Sequence, residues 1–247
     1  MQLAQFNIAR LHHPIDHPAS AGFIELIDET NARAEASPGF VWRHGIDTRD
    51  ADDAPYDDKL ITVNASVWAS IDDLRHFAYR GWHRDVFRRR QEWFQDSAAV
   101  MWWVHDGTIP TMHDCLVRLA FHDEFGSTPY AFGMGERVPV LLIQHHEHGD
   151  TRRVTATLDG ASVGVCEWSL DDDGARVQRL ASDGNDAELL AAVETVAFDA
   201  GAGAITVAAD CDHDVARRLG YDLDGSTISK ALGPIRRRGG LGSRPSA

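Results

Sequence analysis

Alternating apolar and polar residues predict four strands in the first half of the chain. The clearest is residues 60–68, where Val63 and Val67 lie on an apolar face and Asn64 and Trp68 lie on the opposite face. The other three predicted strands are residues 3–9, 40–44 and 99–105, and the last of these is apolar on both faces.

Two helices are predicted between these strands. The first begins at Pro18 and ends near residue 36, before Ser37-Pro38-Gly39. The second runs from Ile71 past Arg80, because Ser70 and Asp73 have the spacing of a helix N-cap. The order strand, helix, strand, strand, helix, strand is typical of a ferredoxin-like α+β fold.

One face of such a sheet is left without helices. Trp68, Trp102 and Trp103 are too apolar to face water, so a second copy is expected to pack sheet against sheet. The sequence therefore predicts a homodimer. A pocket for a small molecule is expected between helix and sheet, or between the two sheets.

Residues 128–139 are rich in turn-forming residues and separate a tryptophan-rich half from one rich in Ala, Gly, Val and Asp. We predict a first domain over 1–134, a second over 135–232 and a disordered basic tail over 233–247. The second domain is expected to contain the helices 187–200 and 214–219 and the strands 153–158, 162–170, 176–180, 204–209 and 227–232.

Several separated blocks of the first domain resemble a known family. The matching positions are 36–43 and 127–132 together with Asn64, Ser66, Trp68, Ser70, Leu74, Phe77, Tyr79, His83, Arg90, Trp93 and Phe94. Over about residues 1–134 the chain resembles the domain of unknown function 3291. The resemblance implies a dimeric α+β barrel related to antibiotic-biosynthesis monooxygenases and haem-handling proteins, and it implies no activity.

The second domain resembles the core of GNAT-type N-acyltransferases over about residues 150–232, on the segments 175–181, 188–205 and 215–223. In that family a Gly- and Arg-rich loop and the next helix N-terminus hold the pyrophosphate of coenzyme A. Here residues 181–187 form a short connection in which Asp183 and Asp186 would repel phosphate. The sequence favours a truncated α/β module without acetyl-CoA binding, and acetyl-CoA-dependent acyl transfer is the alternative.

His83, Tyr79 and Arg90 are the predicted catalytic residues. Helical spacing places them on one stripe with His76 and Phe87. His83 could act as a general base or as an axial haem ligand, and the competing interpretation is a histidine that only packs in the core. The predicted substrate-binding residues are Asn7, Trp42, Asn64, Ser66, Trp68 and Trp103.

Composition limits the classes of molecule that the protein is expected to bind. The 38 acidic and 24 basic residues give a net charge of −14, which argues against nucleic acid or an anionic membrane as the main partner. Three scattered cysteines and no visible signal peptide predict a cytoplasmic protein. No metal is predicted, because only His146 and His148 of the run 145–148 share a strand face.

Together these features predict a small-molecule-binding barrel protein. If it is an enzyme, an oxygenase-like or haem-dependent reaction centred on His83 is the first expectation. The alternatives are an acetyl-CoA-dependent N-acyltransferase acting through the second domain, and a binding protein without catalysis.

Overall fold

The computed structural model describes residues 1–44, 58–149, 151–207, 211–224 and 227–233. The chain divides into two compact units, Met1–Cys115 and Leu116–Ile235. The predicted domain boundary after residue 134 stays a prediction, as does the tail, of which all but residue 233 lies outside the described residues.

The first unit is built on a four-stranded antiparallel sheet. Its strand order is β2-β3-β1-β4. This order and the two helical crossovers confirm the ferredoxin-like arrangement predicted from the hydrophobic pattern. The elements are β1 (Gln2–Leu11), α1 (Ala21–Glu35), β2 (Phe40–Arg43), β3 (Ile61–Trp68), α2 (Ile71–Tyr79), α3 (Gly81–Arg88) and β4 (Phe94–Val104), with short 3-10 helices at Pro18–Ser20 and Arg90–Glu92.

The second predicted helix is broken into α2 and α3, so the prediction of one continuous helix is wrong. The break lies at Arg80, whose backbone is extended, and at Gly81, whose φ of +60° is left-handed. Glycine takes this conformation without steric cost and commonly ends a helix. The N-cap is confirmed, since the Ser70 hydroxyl accepts from the backbone N–H of Asp73 at 3.1 Å.

The tryptophans that motivated a second copy are largely covered within one chain. Trp68 and Trp102 are at most 1% exposed, and Trp103 is half-buried. Trp68 lies opposite Leu3 of β1 whereas Trp102 lies opposite Ala4, so these two rings occupy different faces of the sheet. The expectation that all three rings are bare on a single face is therefore wrong, and the homodimer itself stays a prediction.

The second unit has a seven-stranded sheet in the order β10-β11-β9-β8-β7-β6-β5. Only the β8–β9 pair is parallel among the described strands. This unit therefore combines a mixed sheet with helices, as the sequence predicts. Its elements are α4 (Met112–Phe125), β5 (Leu141–His148), β6 (Thr151–Leu158), β7 (Ala161–Asp171), β8 (Gly174–Ser182), α5 (Asp186–Asp199), β9 (Ala204–Val207), α6 (His213–Arg218), β10 (Asp222–Asp224) and β11 (Thr227–Ala231).

Helix α4 and strand β10 were not predicted, and the sequence indicated a strand only at residues 145–148 of β5. Helix α4 buries five successive residues, 115–119, and so lacks the single apolar stripe that identifies a surface helix in a sequence. Strand β10 has only three residues, which is too short for an alternating pattern. No helix in the described residues is both long enough and apolar enough to span a membrane.

Candidate functional site

Four rings, one each from β2, β3, α2 and α3, form an aromatic row in the first unit: Phe40, Trp68, Phe77 and His83. The Trp68 and Phe77 rings stack with centroids 5.2 Å apart, and the Phe77 and His83 rings lie 4.5 Å apart. Phe40 meets the edge of Trp68 at 5.4 Å. Because β2, β3 and α2 each contribute a ring, the row links the sheet to the start of α3, where His83 lies.

The Trp68 indole is oriented by buried polar groups. Its Nε1–H donates to the Ser66 hydroxyl at 3.0 Å, and that hydroxyl donates to Gln5 Oε1 at 2.9 Å. Gln5 lies opposite Ser66 in the register of β1 and β3, so the bond crosses two neighbouring strands. The role of Gln5 was not predicted, although its place in a strand between apolar neighbours is visible in the sequence.

His83 is mostly buried and has a defined tautomer when neutral. Its Nδ1 lies 3.1 Å from the backbone carbonyl oxygen of Ala78. A carbonyl oxygen only accepts, so Nδ1 carries the proton and Nε2 keeps its lone pair. Burial lowers the pKa of His83, and the bond to Ala78 only partly opposes this, so the imidazole is favoured in its neutral form.

Tyr79 and Arg90 both contact the ring of Phe87, which does not belong to the aromatic row. Phe87 meets Tyr79 edge to face at 6.2 Å, and the Arg90 guanidinium lies 4.4 Å from the Phe87 centroid. Tyr79 and Phe87 are both more than 40% exposed. The break at Arg80 thus separates this exposed cluster from the buried row, and the single stripe expected for the three predicted catalytic residues does not form.

The predicted substrate-binding residues divide between the two faces of the sheet. Asn7 and Asn64 are cross-strand partners on the face that carries Ser66 and Trp68, and Asn7 is exposed. Trp103 lies opposite Leu3 on this same face. These positions form one continuous strip, of which the Asn7 end is open.

Trp42 lies on the opposite face, where its register partner is Val67. The cause is a bulge at Val41, because one extra residue in a strand reverses the side to which the following side chain points. Trp42 stacks on His44 with centroids 5.9 Å apart. The structure therefore does not bring Trp42 together with Trp68 and Trp103.

Carboxyl groups occupy the start of α5 in the second unit. Only residues 183–185 separate β8 from this helix. The Ser182 hydroxyl donates to Asp186 and accepts from the backbone N–H of Asn185 at 3.0 Å. Burial raises the pKa of the nearby Glu188 carboxyl, and Asp186 adds to this. An anionic phosphate would meet two or more carboxyl groups at this helix N-terminus.

His146 hydrogen-bonds to a hydroxyl and gathers no ligand set around it. Its Nε2 lies 3.1 Å from Thr155 Oγ1. Over the described ranges, no three His, Cys, Asp or Glu side chains come close enough together to hold a metal ion.

The sequence of the chain matches the model of one protein family. The profile of a domain of unknown function (DUF3291) matches residues 2–147, more than half of the chain. The chain belongs to the DUF3291 family. The match extends beyond the first unit through α4 and most of β5, which fits the blocks recognised in the sequence as far as residue 132. No curated protein matches the chain.

Several solved structures are similar to a part of this DUF3291 protein, at low sequence identity. SnoaB, a cofactor-independent oxygenase from Streptomyces nogalater, is 19% identical with a TM-score of 0.33, covering 44% of this chain and 98% of its own. An aminoglycoside 6'-acetyltransferase type Ii is 17% identical with a TM-score of 0.31, covering 50% and 89%. The PaiA N-acetyltransferase from Thermoplasma acidophilum, in complex with coenzyme A, is 18% identical with a TM-score of 0.29, covering 33% and 61%.

Proposed function

We propose that the first unit binds a small planar molecule with a weakly acidic proton, and that His83 Nε2 accepts this proton. The observation that carries the proposal is the state of His83. The Nδ1–H of His83 donates to the Ala78 carbonyl oxygen, and no described residue forms a hydrogen bond with Nε2. Burial lowers the pKa of the imidazole. A neutral imidazole with an available lone pair is the form that acts as a general base near neutral pH.

The surroundings of His83 favour an aromatic ligand. The buried Trp68 ring, held in one orientation by the Ser66 and Gln5 bonds, supports Phe77, and Phe77 in turn contacts the imidazole, so the half-buried Phe77 and His83 rings are held rigidly. Rigid rings recognise flat molecules at a low cost in conformational entropy. Asn7 and Asn64 supply amide groups at the open end of the same sheet face, where polar substituents of a ligand would bind.

An oxygenase-like reaction is the catalytic form of this proposal. Loss of a proton from an activated CH₂ group to His83 leaves a carbanion, which dioxygen as co-substrate can oxidise. The balanced change is CH₂ + O₂ → C=O + H₂O, so the second oxygen atom and both hydrogens leave as water. The role of the protein is to hold the ligand in contact with His83, which accepts its proton.

The same tautomer suits haem. A histidine that donates through Nδ1 to a carbonyl leaves Nε2 available to a metal, so His83 would be the residue that holds the haem iron. Haem would then supply the oxygen chemistry. Acetyl-CoA is not proposed as a ligand, because the carboxyl groups at the start of α5 would repel its phosphates.

5-Nitrobenzisoxazole tests the proton transfer, since loss of its C3 proton to a base breaks the ring N–O bond and yields a coloured nitrophenolate. We expect the wild-type chain to bind this planar molecule and to accelerate formation of the phenolate near neutral pH, because the neutral imidazole accepts the proton. His83→Gln should remove this spectral change and leave a stable fold, because glutamine cannot take up the proton. The effect should disappear as the pH falls through the lowered pKa of His83, where the imidazole is already protonated.

His76→Gln is the matched control, because His76 is exposed on α2 and belongs to no part of the row. An unchanged phenolate signal in His83→Gln, or an equal loss in His76→Gln, would refute the proposal. A Soret band that appears on adding haem and is absent from His83→Ala would assign ligation of haem to His83 instead.

A homodimer, formed in the cytoplasm by contact of the exposed strip of the first sheet, is also proposed. Asn7 and Ala99 are register partners and both are exposed, so this strip is flat and bears small side chains. We expect light scattering to give twice the chain mass for the wild type and the monomer mass for Ala99→Arg, because two facing arginines would repel and clash. A monomeric wild type would contradict the dimer.

A further inference from the structure

A basic surface surrounds α3 in a chain that is acidic overall. Residues 75–90 contain six of the 24 basic residues, all of them arginines, and only one acidic residue, Asp85. Charges separated by more than about 8 Å are largely screened from one another at physiological ionic strength. The net charge of −14, which argues against an anionic membrane for the chain as a whole, therefore does not describe what a partner in contact with α3 meets.

Aromatic rings are exposed to solvent beside these arginines. None of the eight residues of α3 is fully buried, so the helix lies on the outside of the first unit. Among the described residues five large apolar side chains are exposed, and the two aromatic ones, Tyr79 and Phe87, are 46% and 42% exposed and contact each other edge to face. Exposed apolar groups that cluster in this way mark a surface that contacts another molecule.

Two of the six arginines, Arg80 and Arg84, are available to a partner. Three of the others form surface ion pairs, with Asp72, Asp85 and Glu92. Arg80 and Arg84 are exposed, and neither forms an ion pair or a side-chain hydrogen bond with any residue that the structure describes. Arg84 lies one helical turn before Phe87, and Arg80 follows Tyr79 in the chain, so each of these guanidinium groups adjoins one of the exposed rings.

We propose that Tyr79, Arg80, Arg84 and Phe87, the α3 patch, dock the protein reversibly on an anionic lipid bilayer. The guanidinium groups bind the lipid phosphates, and the two rings enter the boundary between headgroups and acyl chains, as in helices that lie in a membrane interface. One short helix with a few charges supports reversible docking only, because stable anchoring needs a larger apolar face or a lipid chain.

Single-stranded nucleic acid is another anionic polymer that arginines and aromatic rings recognise. It binds in a charged groove that follows its backbone, with its bases stacked on the rings. The α3 patch instead lies on the convex surface of a helix that has no fully buried residue. Such a surface can insert its side chains into a flat bilayer, so the shape of the patch favours lipid.

Co-sedimentation of the full chain with lipid vesicles measures the docking. At about 0.15 M salt the wild type should sediment with vesicles that contain phosphatidylglycerol and remain in solution with vesicles of phosphatidylcholine alone. Raising the salt to about 1 M should release most of the bound protein, because the Debye length then falls to about 3 Å. No sedimentation with the anionic vesicles, or equal sedimentation with both kinds of vesicle, would overturn the proposal.

Two double variants locate the docking surface. Arg80→Glu with Arg84→Glu should weaken binding to the anionic vesicles at least tenfold, because two attractive charges become repulsive. Arg176→Glu with Arg179→Glu is the matched control, since these arginines are also exposed and without an ion pair among the described residues but lie on β8 of the second unit. The control changes the net charge by the same amount and should bind as the wild type does. An equal loss in both double variants would refute the site.

Phe87→Ser tests the insertion of the ring at unchanged charge, and it should weaken vesicle binding about tenfold. A thermal melt confirms that this variant is folded, and if it is not, the arginine variants still decide the question. An oligonucleotide of deoxythymidine should not bind, and binding that Arg80→Glu with Arg84→Glu abolishes would assign the patch to nucleic acid and overturn the proposal. His83→Gln should dock as the wild type does, which separates docking from the proposed function of the first unit.

Discussion

Lys230→Met is expected to destabilise the second unit by about 3 kcal/mol, because it leaves a buried carboxylate without its partner. Glu194 is 6% exposed and receives the Lys230 ammonium at 2.5 Å. The Lys230 side chain keeps 25% exposure, which places the expected cost at the lower end of the range for buried pairs. Urea denaturation followed by circular dichroism measures the loss.

The double variant Glu194→Leu with Lys230→Met is the control. Removing both charges should restore most of the lost stability, since an apolar pair of similar size has no desolvation cost. A double variant as unstable as Lys230→Met would show that the loss comes from packing of the lysine stem and not from the charge.

The pH dependence of Lys230→Met has a definite sign. Burial raises the pKa of Glu194 above its ordinary value of 4.5, and Lys230 is the main group that opposes this. Without the lysine, the folded state retains the Glu194 proton to higher pH than the unfolded state does. The stability of Lys230→Met should therefore fall more steeply than that of the wild type as the pH rises above 4.5.

Trp68→Ala is expected to destabilise the first unit by about 4 kcal/mol, the range for deleting a large buried aromatic side chain. The indole is 1% exposed, and it contacts the rings of Phe40 and Phe77. Its loss would leave a cavity in the middle of the row and would free the Ser66 hydroxyl. Urea denaturation of the full chain, followed by tryptophan fluorescence, should show the first unit unfolding at lower denaturant concentration.

Trp42→Ala is the matched control, because Trp42 lies on the other face and is half-buried. Its expected cost is much smaller, since fewer contacts are lost. An equal loss of unfolding free energy in the two variants would contradict the expectation that Trp68 stabilises the core more than Trp42 does. Trp68→Phe should retain most of the stability and lose about 1 kcal/mol for the hydrogen bond to Ser66.

The ion pair between Glu194 and Lys230 is a contact that the sequence did not indicate. Glu194 falls in the apolar helix 187–200 and Lys230 falls in a short strand, 36 residues away. Only two of the 24 basic residues are lysines, Lys59 and Lys230, so composition holds a weak signal for one partner. Nothing in the periodicity indicates that the two charges meet, because their pairing depends on how α5 packs over the sheet.

Period-two alternation, the Ser70 cap and the spacing of turn residues by themselves determined the four strands of the first unit and their order of connection. These features are local, so the physics that produces them can be read along the chain. His83 and Trp68 were recognised for the same reason, as side chains of unusual chemistry on predicted elements.

Only the tertiary structure decided which of these side chains meet. A left-handed Gly81 separates His83 from Tyr79 and Arg90, and a bulge at Val41 moves Trp42 to the other face of the sheet. Each is a change at one residue that leaves the hydrophobic pattern almost unaltered but redirects every side chain after it. Contacts such as Phe77 on His83, or Lys230 on Glu194, follow from these directions and from packing between elements, which no local pattern records.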